Sequence, residues 1–253
     1  VAVTAENEYD RSSFACPGSN RQAQRGVSVR IRPGQKIAIV GENRCGKSTL
    51  VNLLCGLYEQ TKESVRLGEQ SITQEVLQVR RALAFVPQNF GRYEATIREN
   101  ITIAEPERIM PEMELEAIAE SVGALGFIKE QPHGFDEVIG TFSESGNNLS
   151  GGQWQKLALM RALYRKDAGI IILDEPTAAL DPQAEASLYR SFRELTGNKT
   201  TILISHRLGI CTTVDRILVF ADGRLVEDGT HTQLMQNKGT YAELYDAQAR
   251  WYQ

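Results

Sequence analysis

Apolar and polar positions recur along this chain with two periods, and the points where one period gives way to the other outline its elements. Lys36-Ile-Ala-Ile-Val40 is a short apolar run that enters a glycine-bearing loop. Beyond the loop, Leu50, Val51, Leu53, Leu54 and Leu57 return at helical spacing, so strand, loop and helix are expected in that order. Residues 168–173 and 201–205 are two further β-branched runs, separated by a helix-period segment over about 183–195. Parallel strands joined by crossover helices follow from that alternation. Nearer the C-terminus, residues 216–220 and 224–227 flank Asp222-Gly223, a dipeptide suited to a hairpin turn, and 232 to about 252 has helical spacing. The stretch from about 89 to 165 is dominated by helix formers, notably over 112–121 and 153–164. It is expected to be a helical subdomain (89–165) inserted into an α/β core formed by 1–88 and 166–253, the whole being one domain.

Composition narrows the setting. With 253 residues and 42% hydrophobic content, the chain can bury a substantial core. Its 28 basic and 32 acidic residues are interspersed and give a net charge of −4, so no overall field draws it to nucleic acid or an anionic membrane, and no nucleic-acid partner is expected. The four cysteines, Cys16, Cys45, Cys55 and Cys211, lack metal-ligand spacing, which favours reduced thiols and a cytosolic setting. No apolar run approaches the ~20 residues that span a bilayer, so any membrane part is expected outside this chain. A start at Val1 without a signal-peptide pattern is what a piece of a longer protein would show.

Three constellations carry chemistry. Gly41-Glu42-Asn43-Arg44-Cys45-Gly46-Lys47-Ser48-Thr49 fits G-x-x-x-x-G-K-[ST] between a strand and a helix. In that context backbone N–H groups and the positive helix end face phosphates, Lys47 adds a point charge, and Ser48 offers a hydroxyl to Mg²⁺. Ile170-Ile-Ile-Leu173-Asp174-Glu175-Pro176 is an apolar strand ending in two carboxylates. Beside a phosphate site, Asp174 would hold the metal and Glu175 would polarise an attacking water; alone, the pair could simply cap the Pro176 turn. Leu149-Ser150-Gly151-Gly152-Gln153 at a helix start is either an anion-receptive nest or an ordinary Ser/Gly cap.

These segments, together with Ala178-Ala-Leu-Asp181 and Ser205-His206-Arg207, resemble in order and spacing the nucleotide-binding domains of ABC transporters over nearly the whole chain. The resemblance implies a P-loop NTPase fold: a RecA-like α/β core with a mixed sheet, an antiparallel β part and an inserted α-helical subdomain. It implies ATP and Mg²⁺ as ligands, and ATP hydrolysis as the activity. It also implies a head-to-tail homodimer in which Ser150, Gly151 and Gly152 of one copy, flanked by Gln153, contact the γ-phosphate on the other copy's loop. Gln88 resembles the glutamine that touches Mg²⁺ or water, His206 the switch histidine, and Asp181 the aspartate linking the two sites. Residues 95–101, 142–148 and 222–231 are similar to exporters rather than importers, and 90–93 and 153–156 to bacterial peptide or antibiotic exporters. A transmembrane partner and a place on the cytoplasmic face of a membrane follow from that resemblance.

Two departures bear on the ligand. Arg44 stands where the family has glycine, so weakened ATP affinity is expected. Cys16 stands where an aromatic side chain stacks on adenine, so loose base selectivity is expected unless Phe14 or Tyr9 substitutes. Gln60 and Glu63 also depart from a proline–glycine turn, without a functional account. Two other readings stay open: a module that holds nucleotide and scarcely hydrolyses it, and a soluble ABC ATPase of translation or DNA repair.

Overall fold

The computed structural model describes residues 7–15, 22–42, 45–57, 66–67, 70–71, 76–140 and 149–250. Cys16, Asn43, Arg44, Gln60, Glu63 and residues 142–148 lie outside the described residues. Contacts group the chain into two compact units: Val1–Phe85 with Asp167–Glu175 and Asn198–Gln253, and Val86–Lys166 with Pro176–Gly197.

The first unit is built on a six-stranded sheet in the order Arg224–Gly229, Arg216–Ala221, Lys36–Gly41, Thr200–Ile204, Ile170–Asp174, Leu83–Val86. The pairings among Arg216–Ala221, Lys36–Gly41, Thr200–Ile204 and Ile170–Asp174 are parallel, and Arg224–Gly229 adds an antiparallel edge. A second antiparallel pair joins Asn7–Ala15 to Gln22–Ile31. Lys36–Gly41, Thr200–Ile204 and Ile170–Asp174 are buried at every position. Such a strand needs apolar side chains on both faces, which is why these segments appear in the sequence as continuous β-branched runs rather than alternating ones. Their side chains join Val51, Leu50, Val79, Leu218 and Phe220 in the hydrophobic core.

Two helix expectations in this unit are corrected by turn chemistry. The helix after the loop spans Lys47–Leu54 and stops short of Leu57, which is half exposed; Gly56 takes φ +61° and turns the chain away. The C-terminal helical stretch is two helices, His231–Asn237 and Thr240–Ala249. Between them Lys238 adopts φ +52°, and a Cβ on Gly239 would lie 2.0 Å from Glu227 Oε1. The Glu227 carboxylate instead accepts the Tyr241 N–H at 2.7 Å, fixing the start of the last helix. The Asp222-Gly223 hairpin turn is present, with φ +47° and +75°.

The second unit is helical, with helices Ile97–Thr102, Glu112–Ser121, Leu125–Lys129, Gly151–Tyr164 and Pro182–Thr196. The last of these, read from sequence as part of the core, groups here. A short antiparallel pair, Ala95–Thr96 with Val138–Ile139, was not legible from periodicity because two residues per strand carry none. A buried polar network pins the segment before the first helix to the helix Gly151–Tyr164. Asn100 donates to the carbonyls of Tyr93 (2.9 Å) and Thr96 (3.0 Å). Arg161 donates to Asn100 Oδ1 (2.7 Å) and to the Gly91 carbonyl (2.5 Å), with its guanidinium 4.9 Å above the Tyr93 ring.

Candidate active site

The carboxyl ends of three neighbouring parallel strands deliver the site's residues, the position where open α/β sheets place their ligands. Lys36–Gly41 leads into the loop and Lys47, Ile170–Asp174 ends on Asp174 and Glu175, and Thr200–Ile204 is followed by Ser205 and His206. Gly41 sits at φ +144°, and a Cβ there would fall 2.1 Å from the Phe220 carbonyl oxygen. The loop's first glycine is therefore demanded by the neighbouring strand as well as by any phosphate. Gly46 precedes the helix in a left-handed conformation (φ +102°), which turns the helix N-terminus toward the loop.

Lys47 is buried, and its ammonium donates to the carbonyls of Gly41 and Glu42, each at 2.8 Å, with Cys45 Sγ at 3.6 Å. Ser48 is exposed in the first helical turn and Thr49 is half-buried behind it. Asp174 and Glu175 are both buried. Burial, and then the neighbouring Glu175 charge, push the Asp174 carboxyl up to about 6, against the pull of Lys47 and His206. Burial also raises Glu175, opposed by the His206 N–H and by the Lys47 and Arg207 charges. Glu175 has φ +54°, a left-handed backbone that costs a side-chain-bearing residue about 1–3 kcal/mol. Its N–H donates to the Ile204 carbonyl at 3.0 Å, which locks the strained residue onto the neighbouring strand. The His206 N–H donates to Glu175 Oε2 at 3.3 Å, and His206 Nε2 approaches Oε1 at 3.2 Å. Burial and the Lys47 charge hold the imidazole below its ordinary range, so it is neutral at pH 7.

The donor set suits a hard divalent cation. Asp174 Oδ1 is buried without a hydrogen-bond partner, and the Ser48 hydroxyl is a second oxygen donor. Among the described residues no group of three or more His, Cys, Asp or Glu could form a metal cage. An ion here would rely on one or two protein oxygens, with phosphate and water supplying the rest, as Mg²⁺ prefers.

The raised Asp174 value has a consequence for stability. Between pH 4 and 6 the folded chain keeps a proton that the unfolded chain releases, so stability falls as pH rises through that window and the full cost is present above it. Discounted for solvent screening, two pH units correspond to about 1–2 kcal/mol. Asp174→Asn should therefore raise the thermal midpoint, without added magnesium, by roughly 2–8 °C at pH 8, with the gain shrinking toward pH 5. A gain of equal size at both pH values would contradict the assignment.

In the second unit, the turn at residues 149–153 is built as a capping box. Gln153 N–H donates to Ser150 Oγ at 3.2 Å, and Ser150 N–H to Gln153 Oε1 at 2.8 Å. Gln153 is thereby committed to the cap, while Gly151 and Gly152 lie in the first turn. A Cβ on Gly152 would sit 3.0 Å from the Ala179 carbonyl, so packing also requires that glycine. Asp181 caps the helix Pro182–Thr196, its Oδ1 accepting from Gln183 (3.0 Å) and Ala184 (2.9 Å), and these N–H groups lower its carboxyl pKa. Gln88 is exposed in the irregular segment that opens this unit. The structure thus brings Lys47, Asp174, Glu175 and His206 together. Gln248, whose amide meets the backbone of the His206 turn, was missed because a residue some 40 positions away leaves no periodic or motif signal.

A parallel sheet whose first loop wraps a buried lysine, with paired acids on an inner strand end, defines a P-loop NTPase. The profile described as "ABC transporter" matches residues 24–178, more than half of the chain. The chain belongs to the ABC transporter family. It is 39% identical over 242 residues to the ATP-dependent lipid A-core flippase of Alkalilimnicola ehrlichii, covering 95% of this chain and 40% of that protein. To the protein of the same name from Escherichia coli K12 it is 36% identical over 247 residues, covering 97% and 42%. A solved bacterial Atm1-family ABC exporter with ATP bound superposes with a TM-score of 0.87 at 33% identity, covering 98% of this chain and 43% of that one. The chain thus spans about two-fifths of the length of these proteins.

Proposed function

We propose that this chain is the ATP-binding and ATP-hydrolysing module of an ABC exporter. The observation that carries the reading is the convergence of Lys47, Asp174, Glu175 and His206 at adjoining strand ends, with Glu175 held between a histidine and a strained backbone. Lys47 would exchange its carbonyl partners for the outer phosphates of ATP. Glu175, raised by burial, accepts the proton of a water attacking the γ-phosphorus, and the bond to the bridging oxygen of ADP breaks. Neutral His206 orients the γ-phosphate by a hydrogen bond. Asp174 and Ser48 would hold Mg²⁺, which supplies charge neutralisation on the phosphates.

The remaining parts of the reading rest on the family resemblance. The 89–165 segment would be the helical subdomain of a single domain whose core is 1–88 and 166–253. Ser150, Gly151 and Gly152 of a second copy would close over the nucleotide of the first, the cap using the N–H groups of Ser150 and Gln153 rather than those of the two glycines. Asp181 would link the two sites. The transmembrane partner would be the part of the longer protein that this chain does not contain, and the module would work at its cytoplasmic face. No helix of the described residues is long and apolar enough to cross a membrane. The relatives' names point to a lipid in one case and to the Atm1 family in the other, so the cargo follows from membrane segments rather than from this module.

The test is phosphate release by the purified chain with Mg-ATP across a range of chain concentrations. The rate per chain should rise with concentration, as a site completed by a second copy requires. A per-chain rate that is flat over a hundredfold range would rule out the shared site.

A further inference from the structure

The turn that carries His206 is tethered from three sides. Ser205 N–H donates to the Ile39 carbonyl at 3.4 Å, and His206 N–H to Glu175 Oε2 at 3.3 Å. Arg207 N–H donates to Ser205 Oγ at 2.9 Å. Two further backbone groups meet one side chain: Gln248 Nε2 donates to the His206 carbonyl at 2.7 Å, and the Leu208 N–H donates to Gln248 Oε1 at 2.5 Å. A single amide thus uses its donor and its acceptor on the two backbone groups that bracket Arg207, directly after the catalytic histidine, as a paired strand would.

Gln248 stands at the far end of the helix Thr240–Ala249, whose other end is fixed by buried Tyr241. Tyr241 N–H donates to Glu227, and its hydroxyl lies 2.8 Å from His231 Nδ1. Tyr241, Leu244 and Gln248 fall on one helical face by their spacing of three and four. Leu244 and Gln248 line a cleft of about 370 Å³ together with Gly41, Glu42 and His206. The cleft that borders the phosphate loop is therefore walled in part by the C-terminal helix.

We propose that Gln248 is a positioning residue for ATP hydrolysis, clamping the His206 turn so that the seating of the C-terminal helix controls the geometry of the histidine. This inference rests on the hydrolytic reading above. The His206 side chain is 44% exposed, so its direction depends on the backbone beneath it and on the single contact of Nε2 with Glu175 Oε1 rather than on close packing. Releasing the His206 carbonyl and the Leu208 N–H frees that backbone to rotate, and misplacement of a catalytic group by about 1 Å can cost ~10²-fold in rate. Binding of ATP, which depends on the loop and Lys47, is left intact.

The experiment compares the full 253-residue chain with its Gln248→Met form, which keeps side-chain length and removes both hydrogen bonds. The expected result is a kcat lowered about 5- to 20-fold with KM for ATP within about twofold, a pattern of lost transition-state interaction. Amide exchange at Leu208 should quicken about tenfold while the strand Thr200–Ile204 keeps its protection. In a His206→Ala background, Gln248→Met should lower kcat no further, because two residues acting through one another are not additive. Full additivity in that background, or equal losses in kcat and in thermal midpoint with no change at Leu208, would make Gln248 merely structural and overturn the proposal. Glu175-dependent parental hydrolysis with an unaltered kcat in Gln248→Met overturns this inference alone. Hydrolysis that ignores Glu175→Gln overturns the functional reading and this inference together.

Discussion

Glu175→Gln lowers kcat for ATP hydrolysis by at least ~100-fold while ATP affinity stays within about threefold. The size follows from the role: a positioned general base contributes typically ~10²–10⁴, and an amide cannot take a proton from water. Retention of binding follows from the geometry. Gln is isosteric, its carbonyl oxygen can still accept the His206 N–H now received by Glu175 Oε2, and its backbone bears the same left-handed strain at φ +54°. The strand-to-strand bond from residue 175 to Ile204 is a backbone interaction and survives. Single-turnover phosphate release alongside equilibrium ATP binding separates the two quantities. A variant that hydrolyses within a few-fold of the parent would remove Glu175 from the chemistry and leave a module that only holds nucleotide.

Lys47→Met acts on the opposite quantity. Hydrogen bonds to charged groups are worth about 1.5–3 kcal/mol each, so loss of the ammonium should weaken ATP binding by ~10–100-fold at the least. The damage extends beyond the ligand. The carbonyls of Gly41 and Glu42 lose the donor that now meets them at 2.8 Å, and Asp174 and Glu175 lose a cation that favours their ionised forms. Both carboxyls should therefore rise further, and the pH window over which Asp174 loses stability should extend upward at its upper edge. The sign is fixed: with a raised folded pKa, stability declines as pH increases through the window. Isothermal titration with ATP, together with thermal unfolding from pH 5 to 8, tests both parts. ATP affinity equal to the parent's would contradict the phosphate role of Lys47. Lys47→Arg is expected to fail as well, since a planar fork cannot replace a compact ammonium in a buried pocket.

Local chemistry in this chain was legible wherever a motif coincided with its own secondary structure. The segment Gly41–Thr49 could be read because an apolar strand precedes it and a helical period follows, and both are present. The paired acids were readable because an uninterrupted β-branched run ends on them. What stayed hidden has one physical source, contact between residues distant in sequence. Nothing near Gly41 announces that the Phe220 carbonyl forbids a side chain there, and nothing near His206 points to Gln248. The break at Lys238 depends likewise on Glu227 occupying the space a Cβ on Gly239 would need. The Ser150–Gln153 cap was visible as an alternative reading of the same five residues, and it and an anion-receptive turn use different N–H groups of one helix start.

Glu175 carries backbone strain and an unfavourably buried charge on one residue, immediately after another buried acid whose ionisation is also resisted. Gly or Asn at 175 would relax both burdens of that residue, and Asn at 174 the charge buried beside it. On the proposed hydrolytic reading, each exchange that toughens the molecule against heat would cost it turnover. Thermal endurance and turnover would therefore pull on these two positions in opposite directions.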